Sequence, residues 1–424
     1  MVRTALRHIA LLAVAVAARC PAADTGDTRT RAFDSRIRTI QVRVDGDDYA
    51  PPIISLDGSQ KITVSFDEMK DDRSYLRYSL VHCNADWRPS SLVESEYVDG
   101  FNYADIDDYS YSSGTFQQFV HYSFSLPNDD MHMLVSGNYI VRVYPENEPD
   151  RILLQARLMV CEDAVDVAAS VTSRTDVDYN RSHQQVSFEV DTKSYDVRDI
   201  YSDLMVYVTQ NSRLDNEVLV RHPLRATPRK AVFEHNRDLI FPAGNEFRRM
   251  ETVAITYHTM GVLSMEYHHP YYHATLVPDQ TRSESIYLYD ETQWGRFTVR
   301  NAEMSDADTN ADYIVTHFIL YTGKQITGGK IYIDGELTNH IFDSRSLMKY
   351  DSATGYYRAD LMLKQGAYNY QYLFVPDGYE TGYTYLIEGD KYQTVNEYLV
   401  RVYNRKTGER YDRFVGYGTV YSGK

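Results

Sequence analysis

At 424 residues the chain exceeds what one hydrophobic core usually holds, and it reads as three domains. Hydrophobic residues at 43% suffice for packed cores, while a formal charge of −16, from 44 basic and 60 acidic residues, disfavours nucleic acid and anionic lipid as partners. The apolar supply is weighted toward Tyr, with 38 against 15 Phe and 2 Trp, a bias that fits pleated, half-buried surfaces better than helical cores.

Residues 1–23 read as a secretory signal: Arg3 and Arg7 form a basic n-region, residues 9–18 an apolar stretch, and small residues follow. Cys20 raises the question of a lipid anchor, which Arg19 disfavours because the residue before a lipidated cysteine is normally small. No later stretch approaches the roughly 18 uninterrupted apolar residues that a transmembrane helix needs. The exported chain is therefore expected to be soluble and at most peripheral to a membrane.

Beyond the signal the period is two. In residues 61–67, Ile62, Val64 and Phe66 fall on one face and Thr63 and Ser65 on the other, the pattern of a half-buried strand. Tyr368, Tyr370, Tyr372 and Phe374 repeat it far downstream, opposite Asn369 and Gln371. Turn signals such as Asp57-Gly58, Gly137-Asn138, Thr354-Gly355 and Thr407-Gly408 separate runs of this kind, and long amphipathic helix patterns are missing. The expected fold class is all-β, as tandem β-sandwiches.

The expected first domain, residues 24–163, carries a strand that runs into a polar corner, His82-Cys83-Asn84-Ala85-Asp86-Trp87. Asn84 and Asp86 can bond nearby backbone amides as the strand ends, and Trp87 can cover a core edge. His82 and Cys83 do not form a nucleophile pair, because adjacent strand residues point to opposite faces. Further on come His121-Tyr122-Ser123-Phe124-Ser125-Leu126-Pro127-Asn128 and Ser136-Gly137-Asn138-Tyr139. With Cys20 set aside, Cys83 and Cys161 are the remaining thiols; export permits a bridge, but two buried free thiols are the expected state.

Residues 139–144 match residues 398–403 at every position but the second, which reads as a weak internal echo of two similar sandwiches. A middle domain is expected over 164–305. Its His258, His268, His269 and His273 are dense, but Pro270 and the lack of a helix set no zinc-ligand spacing. Residues 304–310 are polar and read as a linker opening the third domain, 306–424. Asp306, Asp308, Asn310 and Asp312 have the spacing that starts an EF-hand loop, yet Ala311 stands where the turn glycine belongs and His317 where the bidentate glutamate belongs, so a solvated linker is expected and no metal site. The chain has no G-x-S-x-G elbow, no phosphate loop and no strand-linked G-x-G-x-x-G, and no catalytic residue, cofactor or small-molecule substrate is assigned.

The phrases around His82, Cys83, Asn84, Asp86 and Trp87, then 121–128, then Ser136, Gly137, Asn138 and Tyr139, resemble in that order the first domain of the plug proteins of the type IX secretion system of Bacteroidota. Phe247-Arg248-Arg249 and residues 329–339 extend the resemblance along nearly the whole exported chain. Residues 331–335, 348–357 and 365–372 are similar to an early-set Ig-like domain of the type that binds glycogen and starch. The first resemblance implies a non-enzymatic periplasmic protein, associated with the outer membrane, that occludes a translocon barrel and has that barrel protein as partner. The second implies the alternative of an exported carbohydrate-binding protein; His340 stands where a sugar-stacking indole is expected, leaving Tyr356, Tyr357 or Tyr379 to serve.

Overall fold

Alternation in residues 61–67 becomes the strand Ile62–Glu68, in which Ile62, Val64 and Phe66 are fully buried and Thr63 and Ser65 half-buried. The computed structural model describes residues 26–423; the signal and Cys20 lie outside them. Strands make up 46% of the protein and helices 5%, an all-β fold of β-sandwich character. No helix among the described residues is long and apolar enough to cross a membrane.

Among the described residues, seven sheets form three modules. In the first, Ile37–Val44, Ile62–Glu68, Val120–Leu126 and Asp108–Tyr111 make one antiparallel sheet. It faces a second sheet built on Leu76–Cys83, Gly137–Pro145 and Leu154–Cys161, and the side chains between them form one core. In the next module, Asp166–Thr172, His183–Asp191 and Lys230–Phe233 oppose Val218–Val220, Leu204–Gln210, Glu397–Asn404 and Arg413–Tyr421. The last sets Val262–His268, Tyr271–Leu276, Tyr313–Tyr321 and Tyr356–Lys364 against Gly366–Pro376 and its partners Arg248–Glu251, Phe297–Val299 and Gly329–Asp334.

This pairing regroups the segments expected at 164–305 and 306–424. Glu397–Asn404 pairs with Leu204–Gln210 from Leu204↔Asn404 to Gln210↔Tyr398, so a strand expected in the third domain completes the middle one. Conversely Arg248–Glu251 and Tyr271–Leu276, expected in the middle domain, join strands of the third. Linker composition marks exposed turns and carries no information about which strands pair across long separations. The 304–310 segment is itself corrected. Rather than a free linker, it holds a short helix, Ala307–Asn310, that docks on the first module through Ser113 N–H to Thr309 O at 3.0 Å and Asn310 Nδ2 to Ser113 O at 2.8 Å.

The echoed hexapeptides take equivalent places. Each sits in a central strand, Gly137–Pro145 or Glu397–Asn404, that pairs with an earlier strand on one side and with its own hairpin partner on the other. Tyr139, Val141 and Val143 fill the first core, and Tyr398, Val400 and Val402 fill that of the middle module. Ile140, Leu399 and Tyr403 point the other way, into a further core shared by the two modules. Both central strands are thus buried on both faces, which is why they read as nearly unbroken apolar runs.

Candidate functional site at the module seams

The motif residues converge on one side of the shared core. Leu76–Cys83 ends in a tight corner, where Trp87 N–H donates to Asn84 O at 2.9 Å and Trp87 adopts φ 64°. Asn138 clamps that corner, with Nδ2 donating to Asn84 O at 3.0 Å and to Ala85 O at 3.2 Å. Its Oδ1 accepts from Tyr403 of the middle module at 2.7 Å. The Ala85 N–H donates to Asp412 Oδ2 at 3.0 Å, while Ser136 Oγ accepts from Phe414 N–H at 3.1 Å and donates to Glu162 Oε1 at 2.8 Å. Asn84, Ala85, Ser136 and Asn138 therefore form a polar grip on the hairpin 397–421.

His82 stands behind this grip. Its Nε2 lies 3.1 Å from Ser136 O, an acceptor, so Nε2 carries the proton and Nδ1 accepts from Ser90 Oγ at 2.8 Å. Burial pushes its pKa down to about 4, so the ring is neutral at ordinary pH. Gly137 has φ 142°, and a Cβ there would fall 2.5 Å from His82 Nε2, which requires glycine. Tyr139 is fully buried, edge-on to the His82 ring. Trp87 covers the shared core and stacks under Arg157 at 4.1 Å. Asp86 stays on the rim beside Arg88. Cys83 and Cys161 are free, buried thiols in the same core, and burial raises the Cys83 thiol to about 12.

A second seam, which the sequence gives no sign of, joins the first module to the third. Asp67, on the outward face of its strand, is fully buried there. It accepts from Lys364 Nζ and from Tyr313 OH, each at 2.6 Å, and from His121 Nδ1 at 2.6 Å. Burial would raise the Asp67 carboxyl, but Lys364 and the His121 hydrogen bond outweigh it and hold it below the usual carboxylate range. Arg43 pairs with Glu336 and donates to Phe297 O at 3.1 Å. Asp312, from the EF-hand-like spacing, accepts from the backbone N–H groups of Phe116 at 2.7 Å and Gln117 at 3.2 Å.

The strands of the first module coincide with an independent match: the family model described as "Type 9 secretion system plug protein 1st domain" covers residues 37–162. The chain belongs to the type 9 secretion system plug family. It is also similar to the crystal structure of a hypothetical protein from Parabacteroides merdae ATCC 43184, at 43% identity and TM-score 0.92, covering 93% of this chain and 100% of that one. No curated protein matches it. Plug-family membership places the chain in a secretion system of the cell envelope, in association with another component of that system, and the family is not one of enzymes.

In this plug-family chain the remaining sequence candidates are distributed as follows. His268, His273 and His317 approach one another on the surface of the third module: His273 Nδ1 lies 2.9 Å from His317 Nε2, and His317 bonds Asp360 at 2.6 Å. No group of three or more His, Cys, Asp or Glu poised for a metal occurs among the described residues. Asp306 caps its own short helix. His340 turns inward to Asp334 at 2.9 Å, and Tyr357 is buried with its OH on Ile326 O. Tyr379 is exposed.

Proposed function

We propose that this member of the plug family occludes the periplasmic mouth of the wide outer-membrane barrel of its secretion system while no substrate occupies it. The observation that supports this most is the way the modules are joined. A stopper must resist deformation and span an opening wider than one sandwich, and a wide barrel leaves a water-filled lumen that an outer membrane cannot tolerate open. Here the first and middle modules share a core, and the first and third share buried charges, so the three form one body rather than beads on linkers. The loop around Ile286, Leu288 and Tyr289 exposes all three side chains and offers a site for barrel contact.

A tagged copy in the native bacterium is expected to co-purify with one very large outer-membrane barrel protein, most strongly when secretion substrates are absent. Deletion is expected to sensitise cells to large antibiotics normally excluded. Capture of polysaccharide-uptake components alone, with permeability unchanged in the deletion strain, would refute the plug role and favour glycan binding. Charge introduced by Ile286→Asp with Leu288→Asp is expected to weaken barrel capture while leaving the melting temperature unchanged.

A further inference from the structure

Where the three modules meet lies a cavity of about 180 Å³. The first module contributes Trp87 and Arg157 to its wall, the middle one Leu214 and Arg401, and the third Arg296. Three of these side chains leave a polar atom buried with no hydrogen-bond partner among the described residues: Trp87 Nε1, Arg296 Nη1 and Arg401 Nε. Their residues are 4%, 6% and 2% exposed. All three orphaned atoms are donors, and a buried donor without an acceptor is costly.

The charged groups around the cavity leave one guanidinium without a carboxylate partner. Arg43, Arg296 and Arg401 each have a carboxylate, respectively Glu336, Glu397 and Glu217. Arg157 has none among the described residues. Its Nε donates to Thr28 O and its Nη2 to Thr28 Oγ1, each at 2.7 Å, and its guanidinium lies on the Trp87 ring. Burial draws the Arg157 pKa down to about 10, against the pull of Glu217 and Asp27, with nearby Arg401 adding repulsion. The space is thus surrounded by four guanidinium groups and three carboxylates. Water can accept from the orphaned donors, but it cannot neutralise the remaining charge. At roughly 30 Å³ per water the volume holds about six, room enough for a small polyatomic anion.

We propose that this junction cavity binds a small oxyanion whose oxygens accept from Trp87, Arg157, Arg296 and Arg401. Since every module supplies at least one of those donors, the anion cross-links all three and stiffens the junction rather than any single core. Ser212, exposed at the cavity wall, marks a route of entry.

The test uses the full exported chain, dialysed into chloride, with inorganic phosphate, sulfate or acetate then replacing chloride at constant ionic strength. At least one anion should raise the melting temperature by about 3 °C at about 100 times its Kd. Which anion acts separates a tetrahedral preference from a carboxylate one. The response should vanish in Arg157→Gln. It should also vanish in Leu214→Glu, which sets a carboxylate in the cavity and should raise the melting temperature in chloride alone, so the test stands if the arginine variant fails to fold. If the anion is held too tightly to dialyse away, one equivalent should be released on denaturation and detected by ion chromatography. A melting temperature indifferent to all three anions, with none released, would overturn the proposal and leave water on the donors. A response kept in full by the folded variants would also overturn it, as adsorption of an adventitious ion only.

Discussion

The two seams of the first module join it to its neighbours by opposite means. Toward the middle module it offers an apolar face, with Ile140, Met159 and Trp87 meeting Tyr207, Leu399 and Phe414, fixed in register by neutral hydrogen bonds through Asn138 and Ser136. Toward the third it offers charges, with Asp67 on Lys364 and Arg43 on Glu336. Apolar burial stabilises whatever the exact geometry, whereas a buried ion pair returns its desolvation cost only when both partners are in place. The first seam therefore acts as an extension of the cores, and the second as a latch that fixes orientation.

The largest effect is expected from breaking the latch on one side. Lys364→Met leaves Asp67 buried without its lysine, with only His121 and Tyr313 as partners, and should cost about 3–5 kcal/mol in denaturant unfolding. The double variant Asp67→Leu with Lys364→Met should recover most of that loss; a double variant as unstable as the single one would show that the pair supplies attraction and not only mutual compensation.

Acid reverses the naive ranking of the two seams. His82, in the apolar seam, has a folded pKa of about 4 against an ordinary 6.5, so between those values the unfolded chain binds the extra proton. Its contribution is fully present above pH 6.5 and is lost as pH falls toward 4, amounting to about 3 kcal/mol at most. Asp67 has a folded pKa below the ordinary 3.8, so the latch contributes above that value and weakens only at lower pH. The apolar seam should thus weaken first on acidification. Stability against pH for His82→Gln should flatten between 6.5 and 4; an unchanged slope there would assign the loss to other groups.

Smaller effects sharpen the same contrast. Tyr403→Phe removes the hydroxyl from Asn138 and should cost about 1 kcal/mol, because the aromatic packing stays. Asp86→Ala, on the exposed rim, should change stability by less than about 0.5 kcal/mol. If Asp86 proved as costly as Tyr403, the rim would have to be counted as part of the grip.

Strand faces were legible in the sequence because alternation is a local property: Ile62, Val64 and Phe66, and likewise Tyr368, Tyr370, Tyr372 and Phe374, lie in cores. The corner at Asn84 was legible as turn chemistry, but its partner Asp412 was not, since nothing local marks a contact across 327 residues. The run Tyr398-Leu399-Val400 did carry an unused signal, its lack of alternation, which marks a strand covered on both faces. Asp67 and Lys364 gave none; a charge on the outward face of a strand reads as solvated until another module settles on it.

The path of the chain through the modules also sets an order of events. The middle sheet begins with Leu204–Gln210 and Val218–Val220, yet its other two strands arrive only after the whole third module has been made. Until Glu397–Asn404 emerges, one side of Leu204–Gln210 lacks its pairing partner, and the donors and acceptors reserved for Tyr403, Asp412 and Phe414 face water. Chains ended experimentally at residue 390 should be cut readily by protease within 164–242 while the first module, complete by Cys161, resists. The middle module can therefore close only once the hairpin 397–421 has been made.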